Sequence, residues 1–135
     1  MTYLVDANVL SEVTKPEPRN GVLKWLNTNQ SEMAVDSIIL GEIRLGIVRL
    51  PNGRKRDILQ SWFEEGVQRL VCIPWDNEIA IRWADLIVEL QRTGRTLPLF
   101  DSMIAATALT HGLTIATRNR RDFEVAGVQF VNPFE

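Results

Sequence analysis

Three acidic residues occupy positions where an apolar side chain would be expected. Asp6 closes the run Tyr3-Leu4-Val5. Glu42 lies inside Ile38-Ile39-Leu40-Gly41-Glu42-Ile43-Arg44-Leu45-Gly46-Ile47. Asp101 follows Phe100 and opens Asp101-Ser102-Met103-Ile104-Ala105-Ala106-Thr107-Ala108-Leu109. An ionised carboxylate resists leaving water unless something compensates its charge. Three carboxylates gathered on core-facing stripes would also repel one another. A shared cation removes both objections. Hard divalent ions take oxygen ligands, and Mg2+ in particular is held by one or two carboxylates, waters and substrate phosphates. The pattern points to metal-assisted chemistry on a phosphate group.

The elements that must position these carboxylates alternate between strand and helix. Thr2 to Val5 is a short apolar β-type run, followed by a short helix from Ala7 to about Val13 that Pro16 and Pro18 interrupt. Asn20-Gly21 is a turn, or Pro18 opens the next helix, which carries Val22, Leu23, Trp25 and Leu26. Glu32 to Val35 reads as a strand. Asp36 then suits an N-cap, its side-chain oxygen accepting a free backbone N–H, and Ile39, Ile43, Ile47 and Leu50 recur at helical spacing until Pro51-Asn52-Gly53. A polar-rich helix spans about Arg54 to Gln68, with Ile58, Leu59, Trp62 and Phe63 on one side. Leu70 to Ile73 is a third strand, and Asp76 caps a helix carrying Ile79, Trp83, Leu86, Ile87 and Leu90. Thr93-Gly94-Arg95 stops that helix. The Asp101 helix ends at His111-Gly112, where glycine commonly sits just past a helix end. Thr114 to Ala116 and Val128 to Val131 give two more strands.

This alternation predicts a single α/β domain over residues 1–135, with a mostly parallel sheet covered on both faces. Ligands in such sheets bind beyond the carboxyl ends of the strands, near a switch in strand order. Asp6 lies at such an end, as does Thr117-Arg118-Asn119-Arg120-Arg121-Asp122-Phe123. Glu42 and Asp101 lie on helices that lean over this rim. Ile104, Ala105, Ala108 and Leu109 share the Asp101 face, and Ile38, Ile39, Leu45 and Gly46 share the Glu42 face. Gly46 would let another backbone approach.

The 135 residues suit one domain with a real core, and 45% are hydrophobic, which argues against disorder. No apolar stretch approaches the roughly 20 residues of a membrane span. The N-terminus has no basic or apolar signal region. The single cysteine, Cys72, rules out an internal disulfide and suits a reducing, cytoplasmic compartment. Its setting, Leu70-Val71-Cys72-Ile73, reads as a buried strand. One cysteine and one histidine make a zinc site a poor fit. The net charge of −2 does not advertise a nucleic-acid binder, although local basic patches can still carry such contacts.

Four segments together resemble the PIN-domain family. Leu4-Val5-Asp6-Ala7-Asn8-Val9-Leu10-Ser11-Glu12 is similar to its opening motif, and Leu40-Gly41-Glu42-Ile43-Arg44-Leu45-Gly46-Ile47 to its second. Asp101-Ser102-Met103-Ile104-Ala105-Ala106-Thr107-Ala108 is similar to its third, and Ala116-Thr117-Arg118-Asn119-Arg120-Arg121-Asp122-Phe123 to its fourth. The closest group is the VapC and FitB type of toxin. The resemblance implies a three-layer α/β/α sandwich, an Mg2+- or Mn2+-dependent endoribonuclease, a homodimer, an RNA substrate and a small DNA-binding antitoxin. Carried over by position, Asp6, Glu42 and Asp101 are the metal-binding carboxylates and Asp122 the fourth acidic position. Asn8, Thr117 and Asn119 become supporting polar neighbours. Ala7, Asp36 and Ile39 depart from the family pattern, which commonly has threonine, serine and threonine there.

The implied mechanism needs no histidine base. The ion polarises a phosphodiester oxygen and lowers the pKa of a bound water, which attacks phosphorus in line. His111 suits a favourable contact with a helix C-terminus. Arg118, Arg120 and Arg121 border the proposed site and can meet RNA phosphates, whereas Arg54-Lys55-Arg56 reads as a solvated helix start. Trp25, Trp62, Trp75 and Trp83 read as core or interface residues rather than base-stacking platforms. Two other functions compete. A haloacid-dehalogenase-like phosphatase also places an aspartate after its first strand, but needs a second two residues on, where this chain has Asn8. A catalytically idle regulatory partner acting with an antitoxin on DNA would keep the fold without needing all three acids.

Overall fold

Five short strands form one parallel sheet in the computed structural model, which describes residues 1–135. They are β1 (Tyr3–Val5), β2 (Met33–Asp36), β3 (Val71–Ile73), β4 (Thr114–Ala116) and β5 (Phe130–Val131), in the order β3-β2-β1-β4-β5. Every pairing is parallel, with Leu4 opposite Ala34 on one side and Ile115 on the other. Seven α-helices connect them: α1 (Ala7–Leu10), α2 (Asn20–Thr28), α3 (Ser37–Val48), α4 (Arg54–Glu65), α5 (Asn77–Arg92), α6 (Leu99–His111) and α7 (Arg120–Val125). The chain steps from β1 to β3 in one direction, then returns past β1 to β4 and β5. Right-handed crossovers taken in opposite directions place helices on opposite faces. The result is a three-layer α/β/α arrangement.

The three central strands carry apolar residues at successive positions because both of their faces are covered. Leu4, Val5, Ala34, Val35, Ile115 and Ala116 are all fully buried. Helix α6 is buried from Ile104 to Ala108, and its small residues allow close packing against α5. Trp83 Nε1 donates to Ser102 Oγ across that contact (3.0 Å). Asp36 and Asp76 cap α3 and α5 by accepting from Ile39 N (2.8 Å) and Ile79 N (2.9 Å). Gly112 ends α6 in the left-handed conformation, with φ 65°, which glycine adopts without a Cβ clash.

Several sequence expectations need correction. Cys72 is exposed, not buried. Its strand, β3, lies at the sheet edge, where only Ile73 reaches the core and Val71 is 58% exposed. Ile58 points to solvent, at 56% exposure, while Phe63 on the same helix is buried. Gly46 is exposed, and nothing approaches within 4 Å of where its Cβ would be, so no backbone packs there. The helix expected from Ala7 to Val13 is an α-turn to Leu10 followed by a 3-10 turn, Ser11–Thr14. The helix after Pro18 starts at Asn20, with Arg19 as its N-cap. The Arg54 helix stops at Glu65 and continues as a 3-10 turn, Val67–Arg69. The last strand is only Phe130–Val131. All four tryptophans are partly buried and packed against the core. No helix is long and apolar enough to cross a membrane.

Candidate metal centre

The strand order reverses between β1 and β4, and the acidic residues gather beyond the carboxyl ends of those strands. Asp6 follows β1 directly and is 5% exposed. Its Oδ1 accepts from Ala7 N (2.8 Å), and its Oδ2 accepts from Thr117 Oγ1 (2.8 Å) and Asn8 Nδ2 (3.3 Å). Thr117 follows β4 and is fully buried, so one hydrogen bond ties the two strand ends together across the switch point. Asn8 also donates to Thr117 (3.4 Å) and accepts from Arg118 N (3.1 Å). Asn119 contributes its backbone N–H to Thr117 Oγ1 (2.9 Å).

Glu42 sits on α3, Asp101 in the first turn of α6 and Asp122 in the first turn of α7. All three are half-buried. The structure therefore brings all four sequence-predicted acids to one rim, from four separate elements. They act on one another. Burial, then the charges of Asp6 and Asp36, push the Glu42 carboxyl up to about 7. Burial pushes Asp101 up to about 7 as well, reinforced by its hydrogen bond to Asp122 and the charges of Asp6, Asp122 and Glu42. Burial also raises Asp6, against the hydrogen bonds from Thr117, Ala7 and Asn8.

A divalent cation fits this donor set. Every candidate ligand is a carboxylate oxygen, the preference of a hard ion. Glu42 Oε1 is buried with no hydrogen-bond partner, and such an atom normally has one. No three acid, cysteine or histidine groups are yet drawn tightly around one point. Asp6, Glu42 and Asp101 are the residues that would hold the ion, with Asp122 beside Asp101.

One buried acid is legible in the sequence only as a cap. Asp36 is fully buried. Besides capping α3, it accepts from Thr107 Oγ1 on α6 at 2.6 Å, so it braces the helix of Glu42 against the helix of Asp101. A signal for its burial is present: Asp36 follows Met33-Ala34-Val35 just as Asp6 follows Tyr3-Leu4-Val5. Thr107→Val keeps the shape but leaves Asp36 Oδ2 without its donor. The expected cost is roughly 1–3 kcal/mol of stability. Urea denaturation of the variant checks it, and an unchanged midpoint would rule out the brace.

The basic residues of the fourth segment line a polar depression of about 630 Å3 formed by Arg118, Asn119, Arg120, Arg121, Asp122 and Glu124. Arg118 lies 4.6 Å from the Phe134 ring centre, and Arg120 lies 5.5 Å from that of Phe130. His111 is the exposed last residue of α6, on the helix that carries Asp101 but at its far end.

Known proteins are similar to this chain in sequence and fold. The PIN domain family model matches residues 3–128. The VapC ribonuclease Y4jK of Sinorhizobium fredii is 35% identical, covering 98% of this chain and 97% of its own length. Toxin FitB of Neisseria gonorrhoeae is 34% identical, with 97% of both chains covered. The solved structure of FitAB bound to an IR36 DNA fragment contains a chain 32% identical, with a TM-score of 0.92, covering 99% of this chain and 96% of that one. With its four acids at the switch point of a parallel sheet, this chain belongs to the PIN domain family, among the VapC- and FitB-type toxins.

Proposed function

We propose that this chain is a divalent-metal-dependent endoribonuclease, the toxin of a type II toxin–antitoxin pair. The observation that carries the reading is the convergence of Asp6, Glu42, Asp101 and Asp122 from four elements. Glu42 and Asp101 are both held near pKa 7, by burial first and then by their acidic neighbours. PIN-domain ribonucleases are divalent-metal enzymes, and Mg2+ or Mn2+ suits an all-oxygen donor set. Such an ion, when bound, polarises a phosphodiester oxygen and lowers the pKa of a coordinated water.

The chain's own residues prepare that chemistry. Thr117, Asn8 and the Ala7 N–H hold the Asp6 carboxylate at one angle. The brace from Asp36 to Thr107 fixes α3 against α6. Arg118, Arg120 and Arg121 supply positive charge for a phosphate backbone beside the acids. The phosphatase alternative loses support, because Asn8 donates its amide to Asp6 and to Thr117, and an amide is too weak an acid to protonate a leaving group as a carboxyl would. The catalytically idle alternative leaves Asp6, Glu42 and Asp101 without a reason to be together. Titrating Mg2+ or Mn2+ into a cleavage assay on total RNA tests the reading. Cleavage that survives exhaustive chelation would overturn it.

The same reading makes this a cytoplasmic homodimer that pairs with a small DNA-binding antitoxin. The relative solved as FitAB on a DNA fragment supports that partner, and a basic side chain of the antitoxin would suit the acidic rim.

Metal binding should depend on pH. Glu42 and Asp101 retain protons up to about 7 in the metal-free protein, and an ion must displace them. Affinity should therefore rise from about pH 5 to pH 8, with proton release on binding. The metal-free fold behaves oppositely. Its raised carboxyls bind more protons than the unfolded chain, so their contribution to stability falls as pH rises from the ordinary carboxylate range through about 7. Calorimetry in buffers of different ionisation enthalpy measures the released protons. Binding that is independent of pH over that range would exclude the coupled acids as ligands.

A further inference from the structure

Outside the acidic centre, Glu12 is a buried charge without a role in the chemistry above. It is 2% exposed. Its Oε1 pairs with Lys15 Nζ (2.9 Å), and its Oε2 accepts from Arg19 N (2.9 Å). The hydrogen bond from Lys15 keeps its carboxyl below the ordinary range. Glu12 therefore pins both ends of the loop Lys15-Pro16-Glu17-Pro18-Arg19, which two prolines also stiffen. The loop delivers the Arg19 guanidinium to 5.7 Å from the centre of the Phe134 ring. Arg118 approaches the same ring at 4.6 Å.

Two like charges on one ring repel each other. A single guanidinium gains about 0.5–1 kcal/mol from an aromatic face at an exposed site, and the ring does not neutralise either charge. Neither arginine is in an ion pair. Glu12 acts on the Arg19 charge from a distance, but no carboxylate closes on either guanidinium, and two such groups at one ring suit an anion with several acceptor oxygens, above all phosphate. Its position names the source. The Arg118 backbone N–H donates to Asn8, which donates to Asp6, and Arg118 lines the same depression as Asp122, so this residue starts at the acidic rim. The Phe134 side is fixed as well, since Phe134 N donates to Asn132 Oδ1 (2.9 Å).

We propose that Arg19 and Arg118, seated on Phe134, form a phosphate-binding subsite that holds the RNA strand next to the bond being cleaved. This rests on the ribonuclease reading above. The subsite reads backbone and not bases, so it tightens binding without selecting sequence.

The test uses the Asp101→Asn protein, expected to bind without cleaving, and single-stranded RNA oligonucleotides of several sequences. Affinity is measured against salt concentration. Removing one arginine–phosphate interaction with a single strand should reduce the slope of log affinity against log salt by about 0.7. Arg19→Ala and Arg118→Ala should each show that reduction and a several-fold weaker affinity, uniform across sequences. Arg19→Lys should keep the slope. Phe134→Leu should weaken binding with the slope unchanged, because the charges remain but are no longer held. Arg92→Ala should change nothing, as Arg92 is the last residue of α5 and neither approaches Phe134 nor lines the depression beside the acids. Thermal melts of each variant separate weakened RNA binding from impaired folding.

Wild-type slopes in folded Arg19→Ala and Arg118→Ala would overturn the subsite and leave the ribonuclease reading intact. No RNA binding by Asp101→Asn, with no cleavage by the wild type, would remove both.

Discussion

Asp101→Asn is expected to abolish RNA cleavage while leaving the protein folded. Asp101 heads α6, is half-buried, and is pushed to about pKa 7 chiefly by burial, then by its hydrogen bond to Asp122 and the charges of Asp6, Asp122 and Glu42. The amide keeps the shape and removes the charge a cation needs. Loss of a direct metal ligand should lower the rate on the order of a hundredfold or more, about 2.7 kcal/mol of transition-state stabilisation. The metal-free melting temperature at pH 7.5 should hold or rise, since one member of a repelling set is gone. A structural carboxylate would give the opposite pair of results, a lowered melt with activity retained. Asp6→Asn should lose as much activity but also stability. Asp6 accepts three hydrogen bonds through both oxygens, and an amide nitrogen cannot accept. Asp122→Asn should be milder. The checks are a metal-dependent cleavage assay and a thermal melt on each variant. Full activity in Asp101→Asn would sink the metal-nuclease reading.

Phe123→Ala should have the largest effect on the fold. Phe123 is fully buried and is among the largest side chains that are. It anchors α7, which has only six residues and carries Asp122 in its first turn. So short a helix has little stability of its own, so its position depends on that ring. Truncation should remove roughly 3–5 kcal/mol, a large fraction of the 5–15 kcal/mol typical of a domain. Metal affinity should weaken even where the variant remains folded, because Asp122 is no longer held beside Asp101. Denaturant unfolding gives the first number and calorimetry the second. A loss below about 1 kcal/mol would mean that α7 is held by something other than its buried ring.

Much of this protein is local and therefore readable from order alone. Short continuous apolar runs mark the central strands because both faces are buried, and a 3.6-residue period marks the helices because one face is. Alternation of the two implies a parallel sheet, whose strand ends are where ligands bind. Asp6, Glu42 and Asp101 stand out because a carboxylate on an apolar stripe needs a compensating charge. Asp36 and Asp76 are legible as caps because an N-cap acts within three residues.

What the sequence could not determine depends on which strand neighbours which, and on where an element sits in the sheet. Cys72 and Val71 look like core residues in order, yet β3 is the edge strand and leaves them exposed. Gly46 looks like a point of close approach until the packed structure shows nothing near it. Thr117 lies 111 residues from Asp6 and Thr107 lies 71 from Asp36, and the folded chain turns both pairs into hydrogen bonds. Arg19, Arg118 and Phe134 come from a loop, a rim and the end of the chain, and only the tertiary structure places them on one ring. The physical reason is range. Caps, periodicity and an acid on an apolar stripe act over a few residues and are written along the chain. Sheet order, carboxylate repulsion and cation–π contacts act through space, between residues that are neighbours only after folding.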